Sequence, residues 1–172
     1  MDGESAINAQ RHYKGEMNRD LRRIRGIANY QFGPGCGAVL FPEGVSMECS
    51  KRTGKLRYVL LDGVLLASLR PTDSLFTLTI TGAERLVSEG KPMGYIVTVA
   101  DEVSEFISQG RNVFAKHVVD AGDGIRPGDE VIILDSRKKV LAVGRALLNR
   151  EEMLAFSVGV AVKTRRGRDR ED

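Results

Sequence analysis

The fold is decided by a stretch in the second half of the chain. It reads Asn112-Val-Phe-Ala-Lys-His-Val-Val119, then Gly124-Ile-Arg-Pro-Gly-Asp-Glu-Val-Ile-Ile-Leu-Asp135, then Leu141-Ala-Val-Gly-Arg-Ala-Leu-Leu148. Short runs rich in Val and Ile alternate with segments that contain Gly, Pro or Asp, which is typical of β-strands joined by tight turns. The pattern predicts strands over residues 113–120, 130–135 and 140–148.

Further predicted elements surround this stretch. A strand over residues 95–99 is followed by a helix over residues 102–109, with Asp101 at the N-cap and Gly110 at the end. A helical turn over residues 151–155 leads to a last strand over residues 159–165. Several short strands at close spacing, with one early helix, indicate a compact mixed β-barrel.

The first part of the chain predicts a separate small domain. Apolar residues recur every three or four positions over residues 16–30, which favours a helix. Alternating or apolar runs predict strands over residues 45–50, 56–61, 64–69 and 75–81, before a helix over residues 82–89. We therefore expect an α+β fold: a small α/β domain followed by the barrel. The expected division is a disordered leader (1–14), the first domain (15–90), the barrel (91–168) and a tail (169–172).

Composition restricts the function classes. The chain has 172 residues, 42% of them hydrophobic, which is enough to bury a core. The start of the sequence is polar, and no apolar run reaches the roughly 18 residues of a membrane span. We therefore expect a cytoplasmic protein with no membrane partner. The two cysteines, Cys36 and Cys49, and the two histidines, His12 and His117, do not have the spacing of a zinc site. We expect no metal and no cofactor.

Positive charge is concentrated at two places, although the net charge is only +3. Six basic residues and two acids lie between Arg11 and Arg25. Four basic residues and no acid lie between Lys163 and Arg168. Such clusters are either solvated faces or contacts for phosphate groups.

The quoted segments, together with Glu152-Met-Leu-Ala-Phe156 and Gly159-Val-Ala-Val-Lys-Thr-Arg-Arg-Gly167, resemble the PUA domain, a small RNA-binding β-barrel of RNA-modifying enzymes. In particular, they resemble the PUA domain at the C-terminus of archaeal archaeosine tRNA-guanine transglycosylases. Asn29-Tyr-Gln-Phe-Gly33 and Leu65-Leu-Ala-Ser-Leu-Arg-Pro71 resemble the domain that precedes the PUA domain in the same enzymes. The resemblance covers residues 15–168.

The resemblance implies RNA binding but not catalysis. The full-length enzymes exchange a guanine in the tRNA D-arm, using aspartates on a TIM barrel with a zinc site nearby. A TIM barrel needs about 200–250 residues, more than these two domains leave room for. The loop Gly33-Pro-Gly-Cys-Gly37 is a candidate phosphate cradle or cysteine site, but it lacks the Lys-Ser/Thr of a P-loop, which favours a structural turn. We predict that the chain is not itself an enzyme.

The resemblance also indicates a surface for RNA. In the family, the PUA domain holds the end of the acceptor stem with the strand after its helix and with its last strand. Carried onto this sequence, that surface contains Phe114, Lys116, Lys163, Arg165 and Arg166. Phe114 would stack on an unpaired base, with a place in the core as the alternative. His117 would stack on or bond to RNA, or else be an ordinary half-buried strand residue.

The basic helix adds Arg22 and Arg23 as phosphate contacts, unless this helix binds a protein instead. Two functions follow from these predictions. The first is a non-catalytic tRNA-binding subunit of a split archaeosine transglycosylase, with tRNA and a separate catalytic barrel chain as partners. The alternative is a stand-alone PUA-type RNA-binding protein in another modification or ribosome-related pathway. The pattern makes no prediction about homo-oligomers.

Overall fold

The computed structural model describes residues 3–170 and shows a mixed helix-and-strand protein with two sheets. The first sheet has four antiparallel strands in the order β1-β2-β3-β4. The second has six strands in the order β6-β10-β9-β8-β5-β7, and it curves into a nearly closed barrel. The predicted fold class, α+β with a mixed barrel in the second part, is confirmed.

The first part of the chain contains three helices and the four-stranded sheet. The helices are α1 (Gly3–Phe32), α2 (Cys36–Leu40) and α3 (Ile80–Ser88). The strands are β1 (Ser46–Cys49), β2 (Leu56–Leu61), β3 (Val64–Leu69) and β4 (Phe76–Leu78). β4 ends earlier than predicted because the hydroxyl of Thr79 accepts a hydrogen bond from the amide of Gly82 (3.1 Å) and so caps α3.

The first helix is longer than the sequence pattern indicated. It begins at Gly3 rather than at residue 16, so the prediction of a disordered leader is wrong for residues 3–14. This segment contains Ala, Gln, Arg and Lys but no Pro, and nothing in it stops the helix. Residues 1 and 2, and residues 171 and 172 of the predicted tail, lie outside the described residues.

The loop over residues 33–37 is a structural turn, and the short helix α2 that follows it was not predicted. Gly33 and Gly35 have positive φ values of 109° and 80°. A Cβ atom on Gly37 would lie 2.3 Å from the carbonyl oxygen of Arg25, so only glycine allows α2 to approach α1 this closely. Cys36 is buried, and burial raises the pKa of its thiol. These contacts account for the glycines and the cysteine of the loop, so neither a phosphate site nor a reactive thiol is needed to explain them.

The second part contains the barrel and two short helices. The helices are α4 (Ser104–Ser108) and α5 (Arg150–Ala155). The strands are β5 (Ile96–Val99), β6 (Val113–Phe114), β7 (Val118–Ala121), β8 (Glu130–Leu134), β9 (Val140–Ala146) and β10 (Val160–Gly167). The prediction of a single strand over residues 113–120 is wrong in one respect. A 3-10 turn, Ala115–His117, divides this segment into β6 and β7. This turn lets β6 pair with β10 while β7 pairs with β5.

One hydrophobic core joins the two sheets. Ile132, Leu134, Val140 and Val143 of the barrel are buried in the same cluster as Leu66, Phe76 and Leu86 of the first part. The other faces of β8 and β9 contribute to a second cluster inside the barrel. No helix of the described residues is both long and apolar enough to cross a membrane.

A buried carboxylate lies at this junction. Glu130 on β8 is 3% exposed and accepts a hydrogen bond from the amide of Leu78 on β4 (2.8 Å). Arg165 on β10 forms an ion pair with Glu130 and donates a hydrogen bond to the carbonyl oxygen of Leu78 (2.8 Å). Burial raises the pKa of Glu130, whereas Arg165, the Leu78 amide and Arg70 act in the opposite direction.

The raised pKa of Glu130 determines the direction in which its contribution to stability changes with pH. A carboxyl group whose pKa is higher in the folded than in the unfolded state contributes most stability below its unfolded pKa. It loses that contribution as the pH rises through its folded pKa. When Glu130 is ionised, the guanidinium of Arg165 compensates its buried charge.

We predict that Arg165→Met destabilises the protein by about 3 kcal/mol at pH 7, because it leaves a buried carboxylate without its counter-charge. The loss should become smaller as the pH falls, because protonation of Glu130 removes the uncompensated charge. Glu130→Gln/Arg165→Met should recover most of the stability, since an amide still accepts the Leu78 hydrogen bond. Urea unfolding at several pH values measures this. An equal loss in the single and double variants would contradict the assignment.

Candidate nucleic-acid interface

The pairing of β6 with β10 positions Phe114 at the surface of the barrel. Phe114 lies in register with Val160, and the amide of Ala115 donates a hydrogen bond to the carbonyl oxygen of Gly159 (2.9 Å). Val113 and Ala115 are buried, whereas the Phe114 side chain between them is 46% exposed. Exposure is therefore a consequence of strand alternation, and Phe114 is not a core residue.

Two residues shortly after Phe114, Lys116 and His117, carry polar groups. Lys116 is exposed on the 3-10 turn. His117 is half-buried, and its Nδ1 lies 3.9 Å from a carboxylate oxygen of Glu102. This contact favours a local role for His117, whereas Lys116 remains available to a ligand.

More exposed apolar side chains precede β10, and sequence reasoning missed them. Phe156 is 46% exposed and Val158 is 77% exposed, in the segment that leads from α5 to β10. Asn149 and Glu152 form a capping box that fixes the start of α5. Gly159, with φ of 93°, then turns the chain into β10. In the sequence, the signal that could have revealed this exposed segment is the position of Phe156 and Val158 just before Gly159. We call Phe114, Phe156 and Val158 the apolar set.

Two positive charges lie opposite each other on the adjacent strands β9 and β10. Lys163 pairs in register with Arg145, and both side chains are exposed. Arg145 was not predicted, because its position beside Lys163 depends on strand register. On its other side Arg145 lies in register with Glu130, whose carboxylate is bound by Arg165. Neither Lys163 nor Arg145 forms an ion pair within residues 3–170.

The remaining predicted residues are distributed between the two parts. Arg165 belongs to the junction with Glu130 and Leu78, so its guanidinium is already engaged, and we remove it from the candidate RNA surface. Arg166 is exposed on the same strand. Arg22 and Arg23 are exposed on α1, in the first part of the chain.

The arrangement brings exposed apolar and aromatic side chains and exposed cations to neighbouring segments of the barrel. Aromatic rings can stack on unpaired bases, and Lys and Arg can contact phosphates. The described part of the chain contains no group of three or more His, Cys, Asp or Glu residues that could hold a metal ion.

Comparison with known proteins identifies the barrel as a PUA domain, with residues 95–168 matching that family. Residues 22–92 match the family described as patch-forming domain C2 of tRNA-guanine transglycosylase. The chain thus contains a C2 domain and a PUA domain, and it corresponds to the C-terminal region of archaeal tRNA-guanine transglycosylases.

Individual relatives agree with this assignment. The chain is 40% identical over 167 residues to the tRNA-guanine(15) transglycosylase of Methanothermobacter thermautotrophicus, covering 95% of this chain and 26% of the relative. It spans about a quarter of the length of the curated relatives that it matches.

Solved structures show the same fold. A hypothetical protein of Pyrococcus horikoshii has a TM-score of 0.71 at 22% identity, over 89% of this chain and 92% of that one. A conserved PUA domain protein of Thermoplasma acidophilum has a TM-score of 0.65 at 19% identity, over 90% and 91%.

We predict that Lys163→Gln raises the free energy of unfolding by roughly 0.2–0.5 kcal/mol at low salt, because like charges opposite each other in a sheet repel. The gain should shrink at high salt, where the repulsion is screened. Urea unfolding at low and at high ionic strength measures the effect, with Lys116→Gln as a control that lies outside the β9–β10 pair. A loss of stability in Lys163→Gln would mean that the lysine has a stabilising partner.

Proposed function

We propose that this chain is a non-catalytic tRNA-binding protein that serves archaeosine tRNA-guanine transglycosylation. The observation that carries the proposal is the 40% identity, along 95% of the chain, to a tRNA-guanine(15) transglycosylase. The PUA domain and the exposed Phe114, Lys116 and Lys163 support binding of RNA.

The unpaired end of the acceptor stem is the proposed ligand of the PUA domain. Phe114 offers an exposed ring beside Lys116, and Arg145 lies next to Lys163 on the neighbouring strands. The ring would stack on a base of the end, and the cations would contact phosphates without reading the sequence. Arg166 extends the same strand as Lys163. Arg22 and Arg23 are proposed as additional contacts made by the first domain.

Guanine exchange itself is assigned to a catalytic barrel on a separate chain. Binding the acceptor end here would raise the effective concentration of the D-arm at that distant site. Because this binding does not touch the reacting base, it would act mainly on the apparent affinity for tRNA.

A second candidate is a stand-alone RNA-binding protein in another RNA-modification or ribosome-related pathway. The observation that favours it is the Pyrococcus horikoshii chain, 92% of which is covered by this two-domain fold. That likeness concerns the fold only, so the transglycosylase relationship decides our preference.

Phe114→Ala should weaken binding to tRNA that carries its CCA end by about tenfold, because one base-stacking contact contributes about 1–3 kcal/mol. Binding to tRNA without the CCA end should change little. Fluorescence anisotropy with both RNAs measures the difference. Tyr30→Ala is the matched control, since Tyr30 is 83% exposed on α1 of the first domain. An equal loss for both RNAs would exclude stacking on the end, and no binding by the wild-type chain would refute the proposed function.

The chain alone should exchange no guanine, and it should stimulate a separately supplied archaeal transglycosylase barrel. The stimulation should appear as a lower KM for tRNA with nearly unchanged kcat. Incorporation of labelled guanine into tRNA by each chain alone, and by both together, measures this. Exchange by this chain alone would overturn the non-catalytic assignment. A tRNA-binding chain that gives no stimulation would favour the second candidate.

A further inference from the structure

A cleft of about 570 Å³ lies between the end of the first domain and the outer face of the barrel. Val87 and Gly90, at and just after the end of α3, line it from one side, and Ile96 and Thr98 of β5 line it from the other. We call it the α3–β5 cleft. Sites for small ligands are commonly clefts of about 300–1,000 Å³, often between domains. The residues that line this cleft lie on neither β6 nor β10, so it is separate from the candidate RNA surface.

Strand register determines which side chains meet in the α3–β5 cleft. Thr98 pairs with Asp120 of β7 on one side, and it lies in register with Leu134 of β8 on the other. The two neighbours of Thr98 along β5 are buried inside the barrel, so Thr98 itself faces outward. An acid, a hydroxyl and an aliphatic side chain therefore form a row across three adjacent strands.

The carboxylate of Asp120 is held in place and keeps hydrogen-bonding capacity. Its Oδ1 accepts a hydrogen bond from Nη1 of Arg150 (3.0 Å), and Nε of Arg150 also contacts a carboxylate oxygen of Asp123 (3.3 Å). Within residues 3–170, no group donates a hydrogen bond to Oδ2 of Asp120. A carboxylate has about four lone-pair sites, so Asp120 can accept two parallel N–H bonds from a ligand.

A cation lies on the other side of β5. Lys138 lines the cleft from the turn after β8, and β8 and β7 flank β5 on opposite sides. Two strand spacings, roughly 10 Å, therefore separate Asp120 from the β8 side. Lys138 is exposed and forms no ion pair with any residue that the structure describes.

These groups define the chemistry of the ligand. It needs an edge with adjacent N–H donors for Asp120, an apolar face for the aliphatic side chains of Ile96 and Leu134, and a negative group for Lys138. A guanine nucleotide has all three, since its ring N–H and exocyclic amine lie side by side and its phosphate lies at the far end. The charged residues of the cleft, two acids and two cations, sum to zero, so no excess of positive charge attracts a polyanion such as RNA.

We propose that the α3–β5 cleft binds a free guanine mononucleotide, with Asp120 accepting hydrogen bonds from the base edge and Lys138 contacting the phosphate. This inference goes beyond the proposed function and does not depend on it, because no residue of the cleft is assigned to tRNA. Since both domains line the cleft, the bound nucleotide stabilises their arrangement by mass action.

Titration calorimetry of the full chain with guanosine monophosphate should give a dissociation constant below about 1 mM. Inosine monophosphate, which lacks the exocyclic amine, should bind about tenfold more weakly, because a hydrogen bond to a charged group is lost. Asp120→Asn should weaken binding of guanosine monophosphate and abolish its preference over inosine monophosphate. Lys138→Gln should weaken binding of guanosine monophosphate but not of guanosine, which has no phosphate. Lys139→Gln, in the same turn but outside the cleft, is the matched control and should change neither.

Thermal unfolding without ligand checks that each variant retains its fold. Absence of binding of guanosine monophosphate by the wild-type chain at millimolar concentrations would overturn the proposal. Equal binding of the guanosine and inosine nucleotides by the wild type would also overturn it, because Asp120 would then not contact the base edge. The titration is repeated with the chain saturated by tRNA, and the expected affinity is unchanged. Competition would show that the cleft belongs to the RNA surface and would overturn the assignment to a free nucleotide. Failure of tRNA binding would refute the proposed function alone.

Discussion

The structure depends on the buried carboxylate of Glu130, which connects the two sheets. It accepts a hydrogen bond from the Leu78 amide of the first sheet and pairs with Arg165 of the barrel, above a core to which both parts contribute. A buried charge is tolerated only where its partners are fixed. Glu130 therefore favours one particular arrangement of the C2 and PUA domains, and the surrounding apolar core supplies most of the attraction.

A fixed arrangement of the domains has consequences for recognition. The apolar set and Lys163 belong to the barrel, whereas Arg22 and Arg23 belong to the first domain. Because the junction holds these surfaces at set positions, they can act together on one extended ligand without the entropy cost of ordering a linker. In this account the chain selects the shape of a folded RNA, and phosphate contacts add affinity without adding sequence preference.

The sequence was sufficient for the features that depend on local pattern. Alternation of apolar residues predicted most strands. It did not decide whether Phe114 is exposed or lies in the core, which the structure answers because Val113 and Ala115 face inward. Features that depend on contacts distant in sequence were not predictable. Arg165 is 35 residues from Glu130, so it looked like a free cation in a basic run. Arg145 became a candidate contact only when the strand register placed it opposite Lys163. The helix α2 has five residues, which is too short for a periodic pattern to reveal.

The central claim is that the end of an RNA lies against β6 and β10. Amide hydrogen exchange of the chain, free and bound to a minihelix consisting of an acceptor stem with a CCA end, tests it most directly. The account predicts slower exchange over residues 113–117 and 156–163 in the complex, with α3 unchanged. Slower exchange confined to other segments, while the minihelix is bound, would contradict the account.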